Sequence, residues 1–472
     1  MRRKIAFLEA NEIPFPVFDD YIASRPNSKL ARIVPRCRQY TTRTPDTCHL
    51  SPWITWPTLH RGVNNEKHRL LSFGQSHAEA DAAYPPIWQL LVDRGLSAGV
   101  FGPLHTWPLP EHPEHYAFFL PDTFASTPES YPEVLTSFQK FNLIMARRSP
   151  RNVSAAVDIR SLAPFLLRAP RLGLRAKTSV AIARHLIGEC RQNWKRARRR
   201  TFQPVLAFDL YMKQLEQHRP DYSNFFTNHV ASAMHRFWAA SYPDQYEQLE
   251  LSQEWQQRYS GEISFAMDWL DDMFGRLIAF AHRNPDYLIV TASSMGQAAA
   301  SGQRINNQLY LRDPAKLMDH AGLTRADWSQ RPAMDPTVSL LVSAEKAGQL
   351  SQYLSRLSID GEPIRVSVRH KTLFDMALGQ PNLEPRSDLI TLNSVHFPYG
   401  DLGFELVEIE DEAGSTGYHV PEGSLLIYDP GDTSIKDGSR PTVSTTDLAP
   451  AILANFGVEI PDYMNAPGAI PL

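Results

Sequence analysis

The chain has only three cysteines in 472 residues, Cys37, Cys48 and Cys190, and none stands in a C-x-x-C pair. That excludes a disulfide framework and a thiolate zinc site, and it fits a reduced, cytoplasmic protein. No run of about 18 uncharged apolar residues occurs, so no membrane span is expected. The first apolar run, Ile5-Ala6-Phe7-Leu8, follows Arg2, Arg3 and Lys4 and ends at Glu9. It is too short for a signal-peptide core. Net charge is nearly absent: 48 basic against 51 acidic residues leave −3. The chain as a whole therefore lacks the cationic excess of a nucleic-acid binder. Internal repeats and low-complexity tracts are missing too. With 43% hydrophobic and 21% charged residues, the composition excludes a disordered or fibrous chain.

What is present reads as α/β. Ile5–Leu8 has the continuous apolar character of a parallel strand buried on both faces. Glu9, Asn11 and Glu12 follow it. In open α/β sheets ligands bind outside the carboxyl ends of the strands, so this cluster is a candidate site. Glu9 stands directly at the strand end, whereas Glu12 reads either as a functional carboxylate or as solvated loop charge. Helix-then-strand pairs recur: residues 86–91 before 97–102, and 262–282 before 287–291. A strand at 425–428 precedes a helix at 446–456. Two stretches depart from this rhythm. Residues 125–200 lose strand character and end in a basic run, Arg191, Lys195, Arg196, Arg198, Arg199 and Arg200. This reads as a helical insertion whose basic run is either a solvated helix face or a surface for a phosphate-rich substrate, an acidic glycan or an anionic membrane. Residues 335–384 read as a small α+β (βαβ) insertion: strand 337–342, helix 345–357, strand 364–368. The core is then 1–124, 201–334 and 385–472.

Three motifs carry chemistry. The first is Ser51-Pro52-Trp53-Ile54-Thr55-Trp56-Pro57, running on to His60, Gly62 and His68. The second is Asn228-His229 with His235. The third is Gly417-Tyr418-His419-Val420-Pro421-Glu422-Gly423 followed by Ser444-Thr445-Thr446-Asp447. In this order the set resembles the alkaline phosphatase superfamily, in its type I phosphodiesterase and nucleotide pyrophosphatase branch. The resemblance implies a three-layer α/β/α sandwich around a mostly parallel central sheet. It implies Thr55 as nucleophile, and Glu9 at the end of the first strand is expected to serve catalysis beside it as a metal ligand or base. Independently of the family, a hydroxyl at the head of a helix sits in positive potential, but it needs a metal or a base to activate it.

The family holds two metals, usually zinc. Glu9 stands where strand 1 supplies an Asp, and His235 and His419 match the two histidine ligands. Ala231 stands where an Asp four residues before the first His is usual, and Ser293-Ser294 replace an Asp-His pair. The second metal is therefore expected to be absent. One divalent ion, zinc or manganese, is expected on His235 and His419, with His229 as a replacement ligand. Asn11, Asn228, Ser294 and His396 are candidate substrate contacts. The function implied is a phosphate-ester-directed hydrolase or phosphotransferase acting on a phosphate-containing small molecule or glycan. Two alternatives stand beside it: a group transferase acting on a sugar nucleotide or glycan, and a pseudoenzyme that binds an anionic ligand. No nucleic-acid partner is expected, and a homo-oligomer is compatible with the chain.

Overall fold

The structure is a computed structural model. It describes all residues except 1, 74, 148–164, 166, 167, 332, 334–336, 379, 387 and 469. Parts of both expected insertions, 148–164, 166 and 167 in one and 335, 336 and 379 in the other, thus lie outside the described residues. The chain divides into two compact units. The first is Met1–Ala146, Ala156–Gly302 and Ser415–Leu472, and the second is Arg147–Ala155 and Gln303–Gly414.

The first unit is built on an eight-stranded sheet. In chain order its strands, with those of a flanking two-stranded sheet, are β1 (Lys4–Ala10), β2 (Arg38–Arg43), β3 (Ala98–Phe101), β4 (Phe118–Leu120), β5 (Tyr222–Thr227), β6 (Tyr287–Ala292), β7 (Gly296–Ala299), β8 (Gly417–Val420), β9 (Glu422–Tyr428) and β10 (Thr442–Ser444). The sheet order is β10-β2-β9-β6-β1-β5-β3-β4. All neighbours run parallel except β9, which is antiparallel to β2 and β6. β7 and β8 pair antiparallel beside it.

The strand period of two sends alternate residues into separate layers. Ile5 and Phe7 of β1, Val100 of β3, Val290 of β6 and Leu425 and Ile427 of β9 share one buried cluster with Trp53, Trp56 and Leu59, with Trp88 and Leu91, and with Ile452 and Leu453. These belong to helices α2 (Pro52–Arg61), Ile87–Asp93 and α7 (Leu448–Asn455). The intervening residues face the other layer, which contains α4 (Arg199–His218) and α6 (Glu262–Arg283). There Phe225 meets Phe208 with ring centroids 5.1 Å apart, and Tyr287 meets Phe280 at 4.8 Å. The expected three-layer α/β/α sandwich with a mostly parallel sheet is therefore the observed architecture.

Helix α2 forms despite an internal proline. Ser51 caps it, its hydroxyl accepting from the Trp53 amide at 3.4 Å, and Pro52 occupies the first turn, where a missing N–H costs nothing. Pro57 leaves the Trp53 carbonyl without its helical donor. His105 Nε2 donates to that carbonyl at 2.8 Å and repairs the loss. Gly62 then ends the helix at φ 63°, a left-handed conformation that favours glycine.

Between residues 125 and 200 the described part is helical, with Thr136–Arg147, α3 (Ala176–Arg191) and a 3₁₀ segment Asn193–Arg198. Two residues of the basic run are tied internally. Arg198 chelates Glu262 through Nε and Nη2, and Arg199 chelates Glu189 in the same way. No helix among the described residues is long and apolar enough to cross a membrane.

The second unit has its own core around Leu340, Leu350, Phe374 and Met376. Strand Thr337–Val342, helix Ala344–Leu354 and strand Arg365–Arg369 form the expected β-α-β path. Strand Leu373–Ala377 lies between the two strands and runs antiparallel to both. The βαβ is thus a split one. The helix stops at Leu354 rather than 357, because Leu357 and Ile359 turn their apolar side chains inward as a further strand.

Candidate functional site

The loop after β1 carries the central carboxylate. Glu12 is buried, in a left-handed conformation at φ 61° that is uncommon for a residue with a side chain. Strain of this kind persists only where the surroundings over-determine it. The Ser293 hydroxyl accepts from the Ile13 amide at 3.0 Å, and the Ser424 hydroxyl donates to the Ile13 carbonyl at 2.6 Å, so both β6 and β9 pin the loop. The carboxylate is held as well. Asn11 Nδ2 donates to Oε1 at 2.8 Å, and Gln297 Nε2 of β7 donates to Oε2.

Two imidazoles face the same oxygen. His235 Nε2, on helix α5 (His229–Ser241), lies 2.9 Å from Glu12 Oε2, and His419 Nε2, on β8, lies 3.5 Å from it. Their ring centroids are 5.0 Å apart. Each imidazole donates its other nitrogen's proton to a backbone carbonyl: His235 Nδ1 to Gly417 and His419 Nδ1 to Leu50, both at 2.8 Å. That fixes the tautomer and aims each Nε2 at Glu12, the outer-shell arrangement that orients metal-binding histidines. Burial by itself raises the Glu12 carboxyl, but the charges and hydrogen bonds of both imidazoles outweigh it and hold the group well below the usual carboxylate range. Burial lowers His419, yet Glu12 beside it, helped by the Leu50 carbonyl, carries it above its ordinary value.

One ligand atom from each of Glu12, His235 and His419 lies within 4.8 Å of the others. Ligands about 2.0–2.2 Å from a common ion stand about 3.3 Å from one another, so this spacing fits a divalent ion. Two imidazoles and one carboxylate with an open position are a donor set that suits zinc. The residues present therefore fit one metal. Glu12 supplies the carboxylate that Ala231 cannot, and it comes from the β1 loop rather than from α5.

Helix α2 is tied to this cluster at its N-terminal end, where the Leu50 carbonyl just before the helix accepts from His419 and Trp56 Nε1 donates to Asn11 Oδ1 at 2.7 Å. Thr55 Oγ1 and Ser294 Oγ are 2.7 Å apart, and both residues are fully buried. Glu9 points elsewhere. By strand alternation it shares the face of Ile5 and Phe7, and its Oε1 meets His60 Nε2 of α2 at 2.9 Å and Asn224 Nδ2 at 2.6 Å. The other oxygen, Oε2, is buried without a hydrogen-bond partner. His60 stacks on Trp56, with ring centroids 5.4 Å apart. Among the described residues no group of three metal-binding side chains includes Glu9.

Of the expected site residues, the structure brings together His235, His419, Asn11 and Asn228, whose Oδ1 accepts from Asn11 Nδ2 at 2.7 Å. Thr55 and Ser294 pair with each other through their hydroxyls. His229 stands apart: its Nδ1 is 2.6 Å from Thr227 Oγ1 and its Nε2 is 3.1 Å from the Ala266 carbonyl, so neither nitrogen is free for an ion. Burial pushes its imidazole down to about 4. His396 is exposed in the second unit, where its Nδ1 lies 3.0 Å from Thr391 Oγ1. The additional participants are Glu12 and Gln297. Glu12 stood in the polar cluster after β1 and was legible there. Gln297 had no signal, because nothing in Met295-Gly296-Gln297 marks an amide aimed at a carboxylate.

No family model matches the chain, and no curated protein does. Among solved structures it is similar to murine ectonucleotide pyrophosphatase/phosphodiesterase 5, at 13% identity and a TM-score of 0.41, covering 98% of this chain and 97% of that one. An inactive variant of the same murine protein in complex with AMP gives 12% and 0.40 over the same coverage. A mutant of TAB5 alkaline phosphatase with Mg bound gives 8% and 0.38, covering 98% of this chain and all of that one. At TM-scores this low the likeness adds nothing to what the sheet topology establishes by itself.

Proposed function

We propose that the protein is a phosphate-ester-directed hydrolase or phosphotransferase with a single divalent metal on Glu12, His235 and His419. The observation that carries the reading is the convergence of these three side chains from the β1 loop, α5 and β8 at the carboxyl edge of the sheet, with both imidazole tautomers set by backbone carbonyls. Bound there, a divalent ion would supply Lewis-acid stabilisation of charge on a phosphoryl oxygen. The chain's own groups do the rest. Asn11 orients the Glu12 carboxylate and links it to Trp56 and Asn228. Asn228, exposed at the mouth of α5, offers an amide to a phosphate oxygen. Thr55 is the nucleophile of this reading, with Ser294 as the hydroxyl that shares its proton. Because Thr55 is buried, a phosphoester reaches it only when the covering groups move.

That burial favours a second reading, in which the metal site binds an anionic small molecule without turnover. The two separate on one preparation. Metal content of the unchelated protein should be about one zinc or manganese per chain, and His235→Ala should lose it. Turnover of a bis-aryl phosphate that is abolished in Thr55→Ala supports the enzyme. A metal-loaded protein that binds phosphate but cleaves no diester supports the binding protein. Absence of stoichiometric metal in the wild type sinks both.

A further inference from the structure

We propose that helix α3 is a docking surface for an anionic lipid membrane, on which the protein sits peripherally. The helix is amphipathic the wrong way round. Its inward side carries Thr178, His185 and Glu189, with the Glu189 carboxylate chelated by Arg199. Its outward side carries Val180 (47% exposed), Leu186 (47%) and Ile187 (61%), three of the most exposed large apolar side chains in the first unit. At about 100° per residue, Leu186, Cys190, Ala183, Ile187 and Val180 fall within one arc of about 120°. Arg191 and Arg184 lie immediately beside that arc, exposed and without an ion pair among the described residues. Normal packing puts the apolar stripe of a surface helix against the core. Here the side chains of the polar stripe, Thr178, His185 and Glu189, are buried, and the apolar stripe faces out from Val180 to Cys190.

The charge around it selects the occupant. Residues 168–200 carry eleven Lys or Arg and a single acid, Glu189, in a chain whose net charge is −3. An apolar stripe flanked by arginine is the pattern of a helix that lies in the plane of a membrane interface, with aliphatic side chains in the acyl boundary and cations among anionic headgroups. A second copy of the chain would bring two basic rims together. A polyanion such as nucleic acid has no use for an aliphatic stripe.

The test is flotation of the full chain with phosphatidylcholine vesicles, with and without phosphatidylglycerol. The expected result is binding only to the anionic vesicles, weakened by salt, and weakened about tenfold or more in Leu186→Glu/Ile187→Glu. Both positions are exposed, so the variant should keep the wild-type thermal unfolding temperature. A polarity-sensitive fluorophore on Cys190, in a Cys48→Ser background, should shift to shorter wavelength on the vesicles, since Cys37 is buried and unreactive. Failure to bind anionic vesicles overturns the proposal. So does binding that the double variant leaves undiminished. Capture of soluble polyglutamate without vesicle binding also overturns it, in favour of an acidic protein partner.

Discussion

Replacing Glu12 by Gln in the metal-free protein should cost roughly 2–4 kcal/mol at about pH 6 and roughly 1 kcal/mol at about pH 9. The wild-type carboxylate accepts from Asn11 and Gln297 and faces two imidazole Nε2 atoms at 2.9 and 3.5 Å. At 3.5 Å and an effective dielectric of about 20, one such charge pair is worth about 5 kcal/mol before desolvation is subtracted, which bounds the effect from above. The Gln side chain has one acceptor oxygen, so its amide must turn toward a group that is itself a donor.

The pH dependence has a definite sign. His419 is raised in the folded state above its ordinary value of 6.5, so its stabilisation is fully present below that value and fades as pH rises through the folded one. Glu12 is depressed below its ordinary value of 4.5, so its own contribution is present above that value and is lost only in acid. Both act at about pH 6; as pH rises and His419 loses its proton the charge pair weakens, while the carboxylate keeps its hydrogen bonds from Asn11 and Gln297. Urea unfolding in chelator, followed by tryptophan fluorescence at the two pH values, measures the difference. A variant as stable as wild type at the lower pH, or a deficit that does not shrink at the higher one, would refute the ion-pair account.

Three further outcomes are expected. Thr55→Val should lower stability by about 1 kcal/mol, through loss of the buried hydroxyl pair with Ser294, and chemical denaturation reads this independently of any turnover. His229 is buried and neutral, with its imidazole pushed down to about 4, so it costs the fold nothing above its ordinary value of 6.5 and costs stability as pH falls from there toward about 4; His229→Asn should flatten that part of the stability profile and leave metal content unchanged. A Cβ on Gly296 would stand 2.0 Å from the Glu422 carbonyl oxygen, whereas one on Gly348 meets nothing within 4 Å. Gly296→Ala should therefore cost about 3 kcal/mol or more and disturb Gln297 next to it, while Gly348→Ala in its exposed helix should stabilise by about 0.5–1 kcal/mol, as thermal unfolding will measure.

The parts of the fold that were legible in the sequence were those with strong periodicity. The apolar run Ile5–Leu8, the 3.6-residue pattern of α6 and the strand 425–428 each declare a buried element by local composition. Pairing across distance was not legible. Strand Leu373–Ala377, which splits the β-α-β path of the second unit, depends on hydrogen bonding to two strands that lie apart in sequence. The direction of side chains beyond strand ends was equally hidden. Histidines could be listed, but only the packing of His229 against Thr227 and Ala266 shows that it serves the interior, and only the Leu50 and Gly417 carbonyls show that His419 and His235 are aimed at one point.

The two carboxylates after Leu8 illustrate why position along the chain misleads. Glu9 is still on the strand, so the period of two commits its side chain to the layer beneath α2, against His60. It is placed to brace the helix that carries Thr55, not to meet an ion. Glu12 lies three residues further, past the last paired residue of β1, where the backbone turns left-handed and the alternation no longer binds it. That turn lets its carboxylate reach back to α5 and β8. Gln297 Nε2 donates both to the Ala231 backbone carbonyl and to Glu12 Oε2, so the amide ties α5 to the loop that carries the carboxylate. The site thus keeps one carboxylate per pair of imidazoles. A single negative charge facing His419, whose imidazole Glu12 carries above its ordinary value, is a balance that tolerates the metal-free state, because that imidazole can hold a proton where the ion would otherwise sit.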